Sequence, residues 1–458
     1  MASLEKNKNY ILDITGMTHE GQGVGRIDGL AVFVDGALEG EQAEIRIIKL
    51  NKSYAVGKLL KVLKASQYRI KPFCGAYKRC GGCNLQHMDY SAQLAFKTRL
   101  VRDNLERLGG LKDVMVHETI GMEQPFNYRN KAQYPVAAVN GDIITGFYAA
   151  RSHDVIDSED CGIQNIDSDK VRKVVRQFMG DKGITAYDET TGKGLVRHVI
   201  TRNGFHTGEI MVVLVLNGRG LPEGDELVQR LIKAVPGITS IFVNVNTQRT
   251  NVILGGENIL LYGSESIVDT IGPYRFSISP HSFFQVNPVQ TEVLYAKALE
   301  YAALTGVETV FDLYCGIGTI SLFLSAKAGK VYGVEVVEQA IADAVENARI
   351  NGVTNAEFIA GEAEKVVPEL YGKGVRADVV VLDPPRKGCD EWLLHLLADM
   401  QPQRIVYVSC NPATLARDLK YLDAQGYKAV EVQPVDMFPW SAHVECVIMM
   451  TNSGSKGK

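Results

Sequence analysis

The chain has 458 residues, of which 46% are hydrophobic and 22% charged, with a formal net charge of −4. That length exceeds one ordinary domain, and the balance is that of a folded globular protein rather than a disordered or fibrous one. No apolar run reaches bilayer-spanning length, and the N-terminus MASLEKNKNY lacks a signal-peptide pattern, so a cytoplasmic protein with no membrane partner is expected.

From the N-terminus, YILDITGM, AVFVDG, AEIRIIKL and YAVGKLLKVL read as short strands with glycine turns between them. The pattern predicts a small OB-like β-barrel over residues 1–66, a shape that carries nucleic acid in many proteins but does not prove it here. Ten basic residues and no acid lie between Arg46 and Arg79. Such a field is the footprint of phosphate contact and equally of a solvated lysine-rich face, and charge alone leaves both open.

Cys74, Cys80 and Cys83 follow in FCGAYKRCGGCNLQH. Reduced cytosolic thiols suggest metal binding or catalysis before disulfides. The C-x5-C-x2-C spacing lacks the two close pairs of a zinc ribbon, and it is not the C-x3-C-x2-C of radical methyl-donor enzymes. Spacing leaves zinc and an iron–sulfur cluster both open. AQLAFKTRLVRDNLERLGG predicts a helix from about Ala92 to Leu108, with Leu94, Val101, Leu105 and Leu108 near one face and Gly109-Gly110 as the stop. Residues 115–280 mix strands such as IMVVLVLNG with helices such as DSDKVRKVVRQFMG, an α+β pattern.

From about Val289 the chain alternates strand and helix. TVFDLYC, KVYGVEV, AEFIAGE, DVVVLDPP, RIVYVSCNP, KAVEVQPV and VECVIMM predict a doubly wound sheet of about seven strands. Chemistry in such sheets lies at the carboxyl ends of the strands. The expected division is 1–66, a central domain of 67–91 with 115–280, a helical connection 92–114, and a C-terminal domain 281–458.

In DLYCGIGT, Gly316 and Gly318 allow close backbone approach to a ligand, and Glu335 ends the next strand where it can bind ribose hydroxyls. The third small position of a dinucleotide fingerprint is Ser321, and the Gly-Lys-Ser/Thr of a P-loop is absent. S-adenosylmethionine suits this loop better than a dinucleotide. Asp383 precedes two prolines in LDPPRKG, either as a plain turn or as a carboxylate aimed at a nucleobase N–H. Cys410 closes a strand and Asn411-Pro412 turns the chain at once, near a helix start that favours thiolate; a small buried hydrophobe is the plain alternative. Glu445 enters an apolar strand, as a general base or as an exposed strand-end acid. Together these residues suit one reaction. A thiolate adds to C6 of uracil, C5 becomes nucleophilic towards a methyl sulfonium, and a base then removes the C5 proton from a base flipped out of its stack.

DLYCGIGT, LDPPRKG, VSCNPATLARDL and HVECV, in this order, resemble the RNA (uracil-5-)-methyltransferases, in particular the 23S ribosomal RNA branch with an N-terminal TRAM domain. The resemblance covers essentially the whole chain. It implies a class I S-adenosylmethionine-dependent methyltransferase fold with a reversed final hairpin, and a helix around 92–110 packed on that domain. It implies Cys410 as nucleophile and Glu445 as base, with Gln285, Tyr314, Gly316, Gly318, Glu335 and Asp383 at the methyl donor. Phe283 is implied to stack near the flipped uracil, Asp383 also to contact it, and Arg129 and Lys131 to lie near the RNA. It further implies a [4Fe-4S] cluster on Cys74, Cys80, Cys83 and one downstream cysteine. Of the remaining cysteines, Cys161 in the turn-rich SEDCGIQ is the candidate, because Cys315, Cys389, Cys410 and Cys446 lie in the catalytic half. The implied partner is 23S rRNA, with no obligate protein partner. A tRNA uridine is the alternative target, disfavoured because the tRNA branch generally lacks barrel and cluster. A non-catalytic RNA-binding iron–sulfur protein is the alternative of another class, and the presence of Cys410, Glu445 and Asp383 together weighs against it.

Overall fold

The computed structural model describes residues 4–453. Residues 9–64 form a six-stranded sheet ordered Asn9–Asp13, Gln42–Leu50, Tyr54–Lys64, Leu30–Val34, Gly23–Ile27, Gly16–Met17. Its two edges are consecutive stretches of one segment, 9–17, so the sheet curls back on itself around Leu12, Val32, Val34, Ile45 and Ile47. Gly25 sits at the closure. A Cβ there would lie 2.4 Å from the Asp13 carbonyl, so only glycine admits the strand. Arg69, counted in the basic field, is spoken for: its guanidinium forks onto Glu41, Nε to Oε1 at 2.5 Å and Nη2 to Oε2 at 2.7 Å. Lys58, Lys61 and Lys64 remain exposed on the outer end of the strand Tyr54–Lys64.

The predicted helix is Tyr90–Asn104, capped by Asp89 and extended by a π-helical turn, Leu105–Gly109. Its buried face differs from the expected one. Gln93, Phe96, Lys97, Thr98 and Val101 point inward, whereas Leu108 is 54% exposed. The reason is polar: Lys97 is fully buried and donates to Asp436 Oδ1 at 2.5 Å, and Gln93 donates to the carbonyls of Leu85 and Met88. Val101 and Leu105 join the core of the C-terminal sheet.

The central sheet has seven strands, with Asp142–Tyr148, Lys131–Val139, Val196–Asn203, Ile210–Leu216 and Ile238–Val245 as its inner members. IMVVLVL is buried at every position. Ile210, Val212, Leu214 and Leu216 pack under the helices Ile166–Lys182 and Gly224–Ala234, while Met211, Val213 and Val215 face the core of the C-terminal domain. A strand covered on both faces reads as a continuous apolar run rather than an alternating one.

The C-terminal sheet follows the order Ala356–Ala360, Lys330–Glu335, Thr309–Leu313, Val379–Leu382, Arg404–Ser409, Glu445–Asn452, Tyr427–Val435, Met115–Val116. Its first five strands are parallel and Glu445–Asn452 runs against both neighbours, the reversed hairpin the resemblance implies. The expected seven strands are all present, and an eighth joins them. Met115–Val116, assigned above to the central domain, pairs with Tyr427–Val435. The hairpin Ile267–Ile271 with Tyr274–Ile278 also packs into the C-terminal core rather than the central one, so the boundary expected at 280 falls nearer 263.

Candidate active site

Strand register alone gathers the site. Ser409 pairs with Cys446 in antiparallel register, so the next residue of one strand and the preceding residue of the other, Cys410 and Glu445, meet at the same sheet edge. Leu382 pairs with Tyr407 and with Leu313, which brings Asp383 and Tyr314 to that edge too. A cleft of about 1420 Å³ opens there, lined by Cys410, Glu445, Asp383, Tyr314, Gly316, Glu335, Gln285 and Phe283.

One end of the cleft is built for a nucleoside. Tyr314 is held at φ 67°, a conformation costly for an aromatic residue, by its own N–H and that of Cys315 donating to the Val334 carbonyl. Glu335 is pre-oriented by the N–H groups of Gly316 at 3.3 Å and Val337 at 3.0 Å. Gly316 has open space where a Cβ would stand, whereas Gly318 turns away: a Cβ there would meet the Phe358 ring at 3.0 Å and Ala344 at 3.2 Å. Gly318 does not line the cleft, contrary to the sequence reading; its role is the tight packing of the helix Thr319–Ser325.

At the other end Cys410, Asp383 and Glu445 share one partly buried space. Burial pushes the Cys410 thiol up to about 11, and the charges of Glu445 and Asp383 push the same way, with Arg386 opposing. The thiol is raised despite the helix start expected to favour thiolate. The first N–H groups of Pro412–Ala424 are served by Asn411, whose Oδ1 accepts from Ala413 N–H at 3.1 Å. Burial raises Asp383 to about 7. Glu445 is 6% exposed, and its carboxyl is raised well above the usual range by burial and then by Asp383.

Arg386 is the residue the sequence reading missed. It lines the cleft and its charge reaches both Cys410 and Glu445. Its carbonyl accepts from Asn411 Nδ2 and Thr414 Oγ1, both at 3.1 Å, and Arg417 holds the Lys387 carbonyl at 2.9 Å. The LDPPRKG turn is thus tied to the helix that follows Cys410. The signal was the motif's own lysine–arginine pair beside a carboxylate.

Phe283 stands 68% exposed at the rim. Arg129 and Lys131 flank Asn130, which holds the same rim by donating to the carbonyls of Val286 and Gln285 at 2.9 Å. Neither basic side chain lines the cleft. Lys131 is lowered to about 7 by burial and by the charges of Arg202 and Arg129. Arg202 lies beneath, donating to the Ser282 carbonyl, with its Nε unpartnered.

The four candidate cysteine ligands lie together. All are free thiols, and the charges of Cys161, Cys80 and Cys74 each bear on Cys83, which burial raises to about 12. Cys83 and Cys161 pack on the same small core of Tyr128, Ile163 and Trp440. Among the described residues no three His, Cys, Asp or Glu side chains converge tightly enough for a single metal ion.

The C-terminal fold and its nucleoside-ready cleft define an S-adenosylmethionine-dependent methyltransferase. The sequence model of the tRNA (Uracil-5-)-methyltransferase family matches residues 247–453, and that of the TRAM domain matches residues 5–60. An RNA methyltransferase of Clostridium tetani is 54% identical over 455 residues, covering 99% of both chains. One of Caldanaerobacter subterraneus is 52% identical over 450 residues, covering 98% of this chain and 99% of its own. The crystal structure of Pyrococcus abyssi tRNA (uracil-54, C5)-methyltransferase with S-adenosyl-L-homocysteine matches with a TM-score of 0.77 at 28% identity, over 96% of this chain and 100% of its own. The chain belongs to the RNA (uracil-5-)-methyltransferase family that carries an N-terminal TRAM domain.

Proposed function

We propose that the protein methylates C5 of a uridine in 23S rRNA through a covalent adduct between Cys410 and C6 of the base. The observation that carries this reading is the register that sets Cys410 beside Glu445 with Asp383 on the adjoining strand. Gln285, Tyr314, Gly316, Glu335 and Asp383 hold S-adenosylmethionine, which when bound supplies an electrophilic methyl group. Phe283 stacks on the flipped uracil at the rim, and Arg129 and Lys131 meet the RNA strand beyond it.

The thiol of Cys410 gives up its proton to solvent as its sulfur bonds to C6. The C5–C6 π pair moves to C5 and the uracil O4 becomes an enolate oxygen. Asp383, raised by burial to about 7, grips the base edge through a hydrogen bond, and the guanidinium of Arg386 offsets the charge that the thiolate and enolate develop. After C5 gains the methyl group, Glu445 in its ionised form removes the C5 proton. That electron pair restores C5=C6 and the C6–S bond breaks, returning the Cys410 thiolate.

Cys74, Cys80, Cys83 and Cys161 are the proposed ligands of a [4Fe-4S] cluster. Four free, half-buried thiols bearing on one another would hold it. The cluster would supply a cross-link between the 74–83 segment and the central domain.

The likeness of the motif set to the ribosomal branch supports 23S rRNA. A tRNA target has its own support, because the Pyrococcus enzyme named for tRNA uracil-54 matches across nearly the whole chain. The barrel therefore does not separate the two targets, as the sequence reading had it. Mapping 5-methyluridine in total RNA from a deletion strain, against the parent, tests both: loss of one or two 23S sites is expected, and loss confined to tRNA overturns the ribosomal assignment. RNA substituted with 5-fluorouridine should trap the enzyme covalently, since fluorine at C5 cannot leave as a proton. Active enzyme that gives no denaturant-stable adduct contradicts the mechanism.

A further inference from the structure

The loop 436–444 joins the last two strands and delivers Glu445 to the cleft. Phe438 and His443 line the cleft from this loop, while Trp440 points the opposite way and is 4% exposed. Trp440 sits at φ 69°, left-handed backbone that a bulky side chain occupies only under strain. Such a conformation persists only where neighbours over-determine it, and here they do. The indole packs on Phe73 at 5.1 Å and Phe126 at 5.2 Å between ring centres, and its Nε1 donates to the Pro125 carbonyl at 2.6 Å. Its backbone N–H donates to Gln93 Oε1 at 3.0 Å, and its carbonyl accepts from the N–H groups of both Asn84 and Leu85, at 3.1 and 3.0 Å.

Asn84 adds a third bond. Its Oδ1 accepts from Ala442 N–H at 2.9 Å, three residues before Glu445, while its Nδ2 donates to the Glu20 carbonyl of the barrel at 2.7 Å. Asn84 directly follows Cys83. The cysteine-bearing segment therefore grips the loop backbone at its strained residue and two residues beyond it, and one side chain links barrel, segment and loop.

We propose that Asn84 and Trp440 are positioning residues that set the Glu445 carboxyl against the C5 proton, so that the 73–85 segment controls the elimination half of the reaction. This rests on the reading of Glu445 as the base. Methyl transfer itself depends on Cys410, which follows a different strand, Arg404–Ser409. Loosening the clamp therefore slows release more than addition, and the methylated covalent adduct builds up. A misplacement of about 1 Å at a proton-transfer site costs on the order of a hundredfold in rate.

The test uses full-length protein, S-adenosylmethionine with a labelled methyl group, and total RNA from a strain lacking the enzyme. Asn84→Leu should lower kcat by at least about tenfold, leave KM for S-adenosylmethionine within about twofold, and raise the fraction of enzyme carrying labelled RNA on a denaturing gel. Asn84→Asp keeps the acceptor for Ala442 and loses the donor to Glu20, so it should restore turnover. Trp440→Phe, which keeps a ring but loses the bond to Pro125, gives a second reading should the leucine variant not fold. Wild-type kcat and adduct fraction in folded Asn84→Leu and Trp440→Phe, with only thermal stability reduced, would overturn the proposal. Glu445→Gln run alongside separates the two claims: if it accumulates no methylated adduct, the base assignment fails whatever the clamp variants do.

Discussion

Cys410 is a nucleophile set in surroundings that oppose its ionisation. Its thiol titrates near 11 because burial, Glu445 and Asp383 all disfavour thiolate. A raised thiol is protonated at neutral pH and gains reactivity as pH rises towards that value. Alkylation of Cys410 by iodoacetamide in the free enzyme should therefore climb about tenfold per pH unit between 7 and 9; a plateau below pH 8 would contradict the arrangement. Glu445→Gln should leave addition intact and slow the release of product by about 10²–10⁴-fold, the contribution of a positioned base, read as covalent enzyme–RNA accumulating during turnover. Much of this was legible in the sequence, because a polar residue at the end of an apolar strand has few reasons to be there. Cys410 and Glu445 stood out on that ground. Arg386 did not, since an exposed basic residue after two prolines reads as an ordinary turn. Gly318 misled for the opposite reason: glycine marks close approach but not what approaches, and here it is Phe358.

At the level of elements, helix Tyr90–Asn104 shows where periodicity fails. Its buried stripe contains Gln93, Lys97 and Thr98, so the hydrophobic residues alone point to a rotated face. Lys97 and Asp436 are both without solvent exposure, and Tyr90 donates to the other Asp436 oxygen at 2.9 Å. Burial pulls Lys97 below the usual lysine range, while its bond to Asp436 pushes the other way. Lys97→Met leaves the Asp436 carboxylate buried with its cation gone and should cost about 3–5 kcal/mol in urea unfolding, whereas Lys97→Met with Asp436→Asn should recover part of the loss. Parental stability in Lys97→Met would show the pair to be energetically idle. The strands, by contrast, declared themselves. The seven apolar runs of the C-terminal half are all strands; the inner parallel ones, such as Val379–Leu382, are buried at every position and leave no polar residue to blur the pattern. Met115–Val116 was invisible for want of length; two residues carry no period.

For the molecule as a whole, the average charge of −4 conceals a basic barrel rim. Lys58, Lys61 and Lys64 are exposed on a strand whose outer half stands clear of the barrel core. Replacing all three by Gln should weaken RNA binding and flatten its dependence on log salt by about 2 to 3, near one counterion per lost contact. An unchanged salt slope would return them to a merely solvating role. The domain division was only roughly legible, since a boundary is written in packing between surfaces that sequence windows do not see.

The strand Ile210–Leu216 carries one more consequence. With Met211, Val213 and Val215 buried in the C-terminal core and its other face under the central helices, it makes two domains share one interior. Neither half can melt without stripping an apolar sheet face of its cover. Heating should therefore give a single calorimetric transition for residues beyond the barrel. A fragment beginning at 247, although it spans the family's catalytic signature, should come out of expression aggregated rather than as an independently folding enzyme.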